Sequence, residues 1–481
     1  MINSDKYQVV IGLEVHAQLL TKTKLFCSDS TAYGASPNTQ VSPVSLAHPG
    51  TLPKMNKKAI ELAVKLGLAL NCEIEQYNYF ARKNYFYPDL PKGYQISQHT
   101  APICKGGFLS IKSGEVIKDV KLNRIHLEED AGKSIHDADD QYTCIDLNRA
   151  GVPLVEIVTE PDMHSAEQAF AFLTELRKIV RWLDVCDGNM EEGSMRCDAN
   201  ISIRLTGETT LGKRVEVKNL NSIRNVKKAI EIETERLIGI VETNGTIIQE
   251  TRSFDADTNS SFSLRSKEEA DDYRYFPEPD LPAFTITANY IKEIKDGLPT
   301  LPELLKASYI SNYALTEYDA AVICNDKEDA QYFESVIKHT NRYKAVANWM
   351  LGPLKSYCNE HNISITHFPL SPTSLASLIE LTETDKVNFN NASTKILQAM
   401  INEPLKTAEE TASSLNLLQE SDSSAIEHWV NQVIENMPEK VKEYKQGKKG
   451  LLGMFAGEVK KMSKGKADMQ IANKLLAEKL Q

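Results

Sequence analysis

The sequence predicts an α+β protein in which a strand-rich N-terminal domain precedes helical domains. Up to about residue 292, short segments that alternate polar and apolar residues are separated by Gly and Pro. Beyond that point the apolar residues recur at helical spacing. A chain of 481 residues is also too long for a single core. We therefore predict a mixed-sheet domain over residues 1–292, an all-α helical domain over residues 293–402 and a small α-helical domain over residues 403–481.

The N-terminal domain is predicted to contain several strands and two helices. Alternation predicts strands at residues 9–19, 108–112, 119–123, 201–204 and 215–218. Apolar residues at helical spacing predict helices over residues 57–70 and 165–183. Ser165 is a candidate N-cap of the second helix, and Glu167 lies in its first turn.

The C-terminal part is predicted to be helical. Residues 298–303 (LPTLPE) indicate a domain boundary, with a helix that begins near Thr300 or Pro302. Helical patterns follow at residues 328–338 and 344–357. The Asn-rich segment 384–392 interrupts them, and the last unit, from about residue 403, contains the polar stretch 419–424.

Composition excludes several classes of protein. The chain is 41% hydrophobic and 25% charged, contains no run of 18 apolar residues and begins with a polar segment, which predicts a cytoplasmic protein without a membrane span. Its eight cysteines are scattered, which indicates reduced thiols. The net charge of −11 argues against bulk electrostatic binding of nucleic acid, although residues 439–481 contain 11 Lys against five acidic residues.

The first strand carries a candidate site. Alternation places Glu14, His16 and Gln18 on one face and apolar residues on the other. A carboxylate and an imidazole two residues apart on a strand suit a divalent metal or proton transfer. The alternative is a solvent-facing polar stripe on an edge strand.

Three further runs are rich in carboxylates. Residues 124–134 (RIHLEEDAGKS) pass from a strand pattern into three adjacent acids, and residues 189–200 hold more acids around Arg196. In residues 152–162, Glu156 lies within an apolar stretch, where a buried carboxylate requires a partner or a metal. Each run alone is equally consistent with a salt-bridged surface turn, but together they favour a metal-dependent site.

Two other patterns bear on nucleotide binding. The segment Gly132-Lys133-Ser134 is not a Walker phosphate loop, because the position that requires the first glycine is Leu127. Residues 82–98 interleave cations, aromatic rings and prolines, which suits stacking on bases and contact with phosphates. Plain packing of aromatic residues beside proline is the alternative, and the same two interpretations apply to residues 271–280.

The order of these motifs closely resembles the B subunit of the tRNA-dependent amidotransferases, which convert Glu-tRNA(Gln) to Gln-tRNA(Gln) or Asp-tRNA(Asn) to Asn-tRNA(Asn). The resemblance covers essentially the whole chain. The matching blocks are IGLEVH (residues 11–16), PGTLP (49–53), RKNYFYPD (82–89), LEEDAGK (127–133), DLNR (146–149), MEEGSMRCDAN (190–200), KNLNS (218–222) and DYRYFPEPD (272–280).

The resemblance implies a cradle-shaped catalytic domain, a helical domain and a tail domain similar to the YqeY family. Residues 448–455 (KKGLLGMF) and 463–467 (SKGKA) carry the similarity to that tail, which implies contact between its lysines and tRNA.

The implied reaction has two steps. ATP phosphorylates the side-chain carboxylate of the misacylated amino acid, and ammonia then displaces the phosphate. The implied partners are the amidase, or A subunit, which releases ammonia from glutamine, and the small C subunit of a heterotrimer.

The resemblance also implies roles for particular residues, with ATP and Mg²⁺ as cofactors. His16, Glu129 and Glu156 match Mg²⁺ ligand positions, and Glu14 completes the catalytic set. His16 is the least typical of these ligands, because Mg²⁺ prefers oxygen. The residues expected to contact the nucleotide are Lys83, Tyr85, Lys133, Arg149, Glu191, Arg196 and Lys218.

One departure from the family pattern concerns a zinc site. Many relatives carry four cysteines before the PGTLP block, whereas the corresponding positions here are Cys27, Asp29, Ser42 and Ser45. Because hydroxyls are poor zinc ligands, we expect no structural zinc. A non-catalytic tRNA-binding scaffold is the alternative function, and the sequence leaves the choice between Glu-tRNA and Asp-tRNA open.

Overall fold

The computed structural model describes residues 6–266, 273–419, 423–463 and 466–480. Parts of three segments discussed above, at residues 271–272, 420–422 and 464–465, lie outside the described residues. The chain forms two compact units, Met1–Leu301 and Pro302–Gln481. The boundary between them falls within the segment 298–303, as the sequence predicted. The finer division at residues 292 and 402 stays a prediction.

The first unit is built on a large mixed sheet. The strands of this unit are β1 (Tyr7–Gln18), β2 (Glu73–Ile74), β3 (Tyr77–Asn78), β4 (Ala81–Asn84), β5 (Tyr94–Ser97), β6 (Cys104–Lys105), β7 (Phe108–Ser113), β8 (Val116–Glu129), β9 (Lys133–Ile135), β10 (Cys144–Asp146), β11 (Pro153–Thr159), β12 (Met195–Leu205), β13 (Val215–Leu220), β14 (Glu250–Asp255), β15 (Ser260–Ser266), β16 (Phe276–Pro277) and β17 (Phe284–Thr285). In order across the large sheet, the strands are β15-β14-β13-β12-β1-β11-β8-β6-β2, and β7 pairs with β8. Neighbouring strands are antiparallel except for the parallel pair β13 and β14.

Helices cover one face of this sheet. They are α1 (Lys57–Ala69), α2 (Ala166–Trp182), α3 (Ile223–Glu242) and α4 (Ala288–Asp296). Odd-numbered residues of β1, such as Leu13 and Val15, share a core with Phe172 of α2 and Leu237 of α3. Because strand side chains alternate between faces, the even-numbered residues of β1 lie on the opposite face. The sequence pattern of the first strand is therefore confirmed.

The predicted helices of this unit form, but one long helix was missed. The Ser165 side chain caps α2 by accepting a hydrogen bond from the backbone N–H of Gln168. Helix α3 begins after the N-cap Ser222 and carries Glu233 within its apolar stripe. That carboxylate is buried against Arg236 and Arg252, at 2.8 and 3.2 Å. In the sequence, Glu233 interrupts the apolar stripe of this helix, so the helical pattern is not evident. Its partner Arg252 lies on a strand that is distant in the sequence.

The second unit is helical throughout its described residues. Its α-helices are α5 (Pro302–Tyr313), α6 (Glu317–Ile323), α7 (Lys327–Ile337), α8 (Tyr343–Trp349), α9 (Lys355–His361), α10 (Pro372–Glu383), α11 (Phe389–Asn391), α12 (Leu397–Asn402), α13 (Ala408–Ser414), α14 (Ser423–Asn436), α15 (Pro438–Lys445), α16 (Leu452–Met462) and α17 (Met469–Lys479). A π-helical turn containing Pro353 joins α8 to α9. Another, Ala392–Ile396, joins α11 to α12.

The last four helices enclose a small core of their own. Val430 of α14, Tyr444 of α15, Phe455 of α16 and Leu476 of α17 are buried together. In the described part of the chain, no helix has the length and apolar character needed to span a bilayer. The α+β class, with a mixed-sheet domain first and helices after it, is confirmed.

Candidate active site

Polar side chains from five neighbouring strands lie together on the face of the sheet opposite the helices, which we call the open face. In the antiparallel registers, His16 of β1 lies opposite Glu156 of β11, which in turn lies opposite His126 of β8. On the other side of β1, Glu14 lies opposite Asp198 of β12. Residues directly opposite in such a ladder have Cβ atoms about 5 Å apart, so these side chains meet on one face.

These side chains line a cavity of about 340 Å³. Its acidic lining residues are Glu14, Glu128, Glu156, Asp198 and Glu216. Its basic lining residues are Lys83, Arg124, Arg214 and Lys218. Three imidazoles, those of His16, His99 and His126, and the phenols of Tyr273 and Tyr275 complete the ionisable groups. A cavity with charges of both signs suits a charged ligand better than an apolar one.

A candidate metal centre lies within this cavity. One donor atom from each of His16, Glu128 and Glu156 lies within 4.8 Å of the other two. His16 Nε2 is 3.5 Å from a Glu128 oxygen and 3.4 Å from a Glu156 oxygen. His126 Nε2 approaches Glu156 at 3.2 Å, and its buried Nδ1 has no hydrogen-bond partner among the described residues. Two carboxylates and an imidazole converging on one point fit a divalent cation such as Mg²⁺.

Electrostatics within the cluster favour positive charge between the carboxylates. Burial alone would raise the pKa of Glu156, but His126 and His16 hold the pKa of this carboxyl well below its usual range. Burial opposes charge on His126, yet Glu156 and Glu128 raise its pKa to about 9. The same two carboxylates raise the pKa of His16 against the effect of burial. The carboxylates therefore favour the protonated form of both imidazoles. A metal ion bound to His16 would displace the proton from that ring.

The structure places one member of the predicted ligand set outside the cavity. Glu129, an odd-numbered residue of β8, lies on the face of the strand that points away from the cavity. Its carboxylate is paired with Lys92 at 2.5 Å and accepts a hydrogen bond from the backbone N–H of Ile96 at 2.8 Å. Glu128, its neighbour, occupies the cavity in its place. The physical reason is the two-residue period of a strand, which places Glu128 with His126.

Two of the predicted nucleotide contacts lie at the cavity. Lys218 is paired there with Glu216 at 3.1 Å and with Asp198, and these acids raise its pKa against the effect of burial. The Lys83 ammonium lies 4.8 Å from the centre of the Tyr273 ring. Burial opposes charge on Lys83, but Tyr275 and Glu128 raise its pKa above the ordinary value.

The other predicted contacts are not part of the cavity lining. Arg149 and Arg196 both hold Asp130, at 3.6 and 3.0 Å, at the end of β8. Tyr85 is half-buried and packs edge-on to Tyr273. Lys133 and Glu191 are exposed side chains on β9 and on a turn. None of these five lines the cavity, and their assigned role as nucleotide contacts stays a prediction.

Sequence reasoning missed several residues that the cavity contains. His126 has the same parity on β8 as Glu128, and Asp198 and Asn200 have the same parity on β12. This parity is a signal in the sequence that could have found them. Tyr275 gave no such signal. It stacks on His99 at 4.0 Å between ring centres, and only the tertiary structure brings the two together.

The four positions of the expected cysteine cluster also come together. Ser45 donates a hydrogen bond to the Asp29 carboxylate, and the backbone N–H of Ser42 donates to it at 2.9 Å. Cys27 Sγ and Ser45 Oγ are 3.4 Å apart. The buried Lys24 ammonium donates to Ser45 and to the Leu147 carbonyl at 3.2 Å. Hydrogen bonds among polar side chains therefore connect this loop, and the expected absence of zinc stays a prediction.

Comparison with known proteins gives matches over both units. Residues 9–292 match the family described as the GatB/GatE catalytic domain, and residues 331–480 match the one described as the GatB domain. The chain is 47% identical over 471 residues to the B subunit of the aspartyl/glutamyl-tRNA(Asn/Gln) amidotransferase of Thermodesulfovibrio yellowstonii, covering 98% of each chain. It is 48% identical over 484 residues to the protein of the same name from Geobacter sp. strain M21, covering 99% of this chain and 100% of the relative.

Proposed function

This chain belongs to the GatB family of amidotransferase B subunits, and we propose that its first unit performs the ATP- and Mg²⁺-dependent part of the reaction. The substrate is a misacylated Glu-tRNA(Gln), an Asp-tRNA(Asn), or both. ATP transfers its terminal phosphoryl group to the side-chain carboxylate of the esterified amino acid. Ammonia then attacks the acyl phosphate, which forms the amide and releases phosphate. Activation is needed because a free carboxylate is a very poor electrophile towards ammonia.

The observation that supports this proposal is the convergence of His16, Glu128 and Glu156 in a cavity that is also lined by four basic side chains. These three side chains would hold Mg²⁺, which offsets the charge of the transferring phosphoryl group. Lys83 and Lys218 direct two ammonium groups into the same cavity. Because Asp198 and Glu216 fix the Lys218 ammonium, it is already oriented before a phosphate arrives.

The proposed partners follow from the same family membership. The relatives are named as one part of a multi-subunit enzyme. We propose that the amidase, or A subunit, supplies ammonia from glutamine and that the small C subunit is the third member of a cytoplasmic heterotrimer. The lysines of α15 and α16, which include Lys445, Lys460 and Lys461, are suited to contact tRNA phosphates.

Replacement of Glu128 tests catalysis by this chain against the alternative of a non-catalytic scaffold. In the assembled enzyme, we expect Glu128→Gln to lower the amount of amidated aminoacyl-tRNA formed per minute by about a hundredfold or more, since an uncharged amide is a weak Mg²⁺ ligand. Release of phosphate from ATP should fall in parallel. Binding of misacylated tRNA should be unchanged.

A matched control is Glu73→Gln, which neutralises an exposed glutamate on β2 at the edge of the same sheet. This variant should retain the wild-type rate. Thermal unfolding of both variants reports whether the fold is retained. A Glu128→Gln enzyme that folds and works at the rate of the control would contradict catalysis through this metal site and favour the scaffold.

A further inference from the structure

His126 is the buried imidazole of the cavity to which the proposed function assigns no role. It lies on β8 directly opposite Glu156 of β11, and only 7% of its side chain is exposed. Among the described residues, the donor atoms that converge within 4.8 Å belong to His16, Glu128 and Glu156, and His126 is not a member of this group. Burial of a polar ring costs free energy unless the ring forms hydrogen bonds. Its contacts therefore indicate what it does at the site.

Both carboxylates of the cluster contact both imidazoles. His126 Nε2 is 3.2 Å from Oε2 of Glu156 and 3.7 Å from Oε2 of Glu128. His16 Nε2 is 3.4 Å from the same oxygen of Glu156 and 3.5 Å from Oε1 of Glu128. The shortest of these four distances joins His126 to Glu156, and it is the one that corresponds to a hydrogen bond.

The second ring nitrogen of His126 distinguishes a hydrogen-bond donor from a metal ligand. A histidine that binds a metal through one nitrogen almost always donates a hydrogen bond from the other. Nδ1 of His126 is buried and has no hydrogen-bond partner among the described residues. If Nε2 bound the metal, Nδ1–H would be a buried donor without an acceptor, which is rarer in proteins than an unused acceptor. The proton is therefore assigned to Nε2, next to Glu156, and once a divalent cation neutralises the two carboxylates the ring carries this single proton.

We propose that His126 is a positioning residue, whose Nε2–H group holds the Glu156 carboxylate in the orientation that binds Mg²⁺. This inference rests on the proposed function, since it requires a metal ion at the cluster of His16, Glu128 and Glu156. A glutamate side chain loses rotamer freedom when it binds a metal. A hydrogen bond that restricts the carboxylate before the ion arrives removes part of that cost.

Substitution of His126 in the assembled enzyme, without nucleotide or tRNA, tests this role through metal binding. Mn²⁺ is the probe, because the electron paramagnetic resonance signal of the free ion is lost on binding and because Mn²⁺ accepts the same ligands as Mg²⁺. His126→Met removes the donor but conserves the size of the side chain, and we expect it to raise the dissociation constant of Mn²⁺ about tenfold to a hundredfold. His126→Gln, whose amide can still donate to Glu156, should retain most of the wild-type affinity.

The same variants separate metal binding from catalysis. For His126→Met, the Mg²⁺ concentration at half-maximal rate of product formation should rise by the same factor as the Mn²⁺ dissociation constant. The rate at saturating Mg²⁺ should fall much less, because a higher concentration of the ion offsets weaker binding.

The matched control is His164→Met, which removes another partly buried imidazole of the same unit. Nδ1 of His164 lies 3.0 Å from the Val9 carbonyl oxygen, and this residue does not line the cavity. The control should bind Mn²⁺ with wild-type affinity. Thermal unfolding in the presence of a chelator reports how each substitution affects the fold without the metal. His126→Leu is a second variant without a donor, should the methionine impair folding.

Two results would overturn the assignment. Wild-type Mn²⁺ affinity in folded His126→Met and His126→Leu enzymes would show that the ring only fills space in the core. An equal loss of affinity in His126→Gln and His126→Met would show that the metal requires the imidazole itself, as it does when the ring is a direct ligand.

Glu128→Gln, measured in the same series, distinguishes failure of this assignment from failure of the proposed function. If Glu128→Gln weakens Mn²⁺ binding and lowers turnover while His126→Met does neither, the role of His126 is wrong and the proposed function still holds. If neither substitution changes Mn²⁺ binding, the cluster does not bind the metal, and both proposals are wrong.

Discussion

Exchanging Glu128 or Glu129 for glutamine should separate metal binding from structural support at two adjacent residues. Both carboxylates are buried on β8, with 4% and 2% of their surface exposed, and each substitution conserves side-chain size. Glu128 points into the cavity with His16, whereas Glu129 is paired with Lys92 on the other face. We therefore expect Glu128→Gln to weaken Mg²⁺ binding specifically and Glu129→Gln to lower stability.

The magnitude for Glu129→Gln follows from its partners. Removing one member of a buried ion pair costs about 3–5 kcal/mol when the other charge is left without a partner. The Lys92 side chain is 20% exposed and can move its ammonium towards water, and an amide oxygen can still accept the hydrogen bond from Ile96. We therefore expect a loss of about 2–3 kcal/mol, or a fall of several degrees in the unfolding temperature of this domain.

The assay is a Mg²⁺ titration of product formation, with thermal unfolding of the same samples. For Glu128→Gln, the Mg²⁺ concentration at half-maximal rate should rise about tenfold or more. For Glu129→Gln this concentration should remain at the wild-type value while the unfolding temperature falls. A raised Mg²⁺ requirement in the Glu129 variant, together with a normal one in the Glu128 variant, would refute our assignment of the ligand face.

Two further predictions concern buried charges outside the cavity. Glu233→Gln should lower the free energy of unfolding of the first unit in urea by about 2–3 kcal/mol, because this fully buried carboxylate pairs with Arg236 and Arg252, although both arginines keep Glu250 as a partner. Glu235→Gln, on the exposed side of α3, should change it little. Burial lowers the pKa of Lys24 below its ordinary value of 10.5, so the unfolded chain binds more protons between the two values, and stability should rise with pH through that interval. Lys24→Met should lack this rise, and an identical pH dependence of unfolding in both proteins would argue against a lowered pKa of Lys24 in the folded protein.

The sequence contained enough information to place the first strand and the polar residues on one of its faces. The alternation around Glu14 and His16 follows from the two-residue period of a strand, which needs no knowledge of neighbouring segments. The class of the chain and the helices α1 and α2 could be predicted for the same reason, since capping and apolar spacing are local.

The choice between Glu128 and Glu129 could not be made from the acidic run alone. Three consecutive acidic residues on a strand place side chains on both of its faces. Only the antiparallel pairing of β8 with β11 defines which face lines the cavity. That pairing places His126 opposite Glu156 and thereby brings Glu128 to the cluster. Non-local pairing of this kind also determines α3, where the charge that interrupts the helix is matched by Arg252 on β14.

Pairing also decides whether the polar face of β1 can be a functional surface. A polar stripe on an edge strand would face water on a flexible border, which was the alternative left by the sequence. In the structure β1 lies within the sheet, with β12 on one side and β11 on the other. Its backbone is therefore held by two ladders. His16 is flanked by Glu156 of β11 and Arg196 of β12, and Glu14 lies beside Asp198 of β12. A central strand limits the motion of its side chains, which is the condition for a preorganised metal and phosphate site.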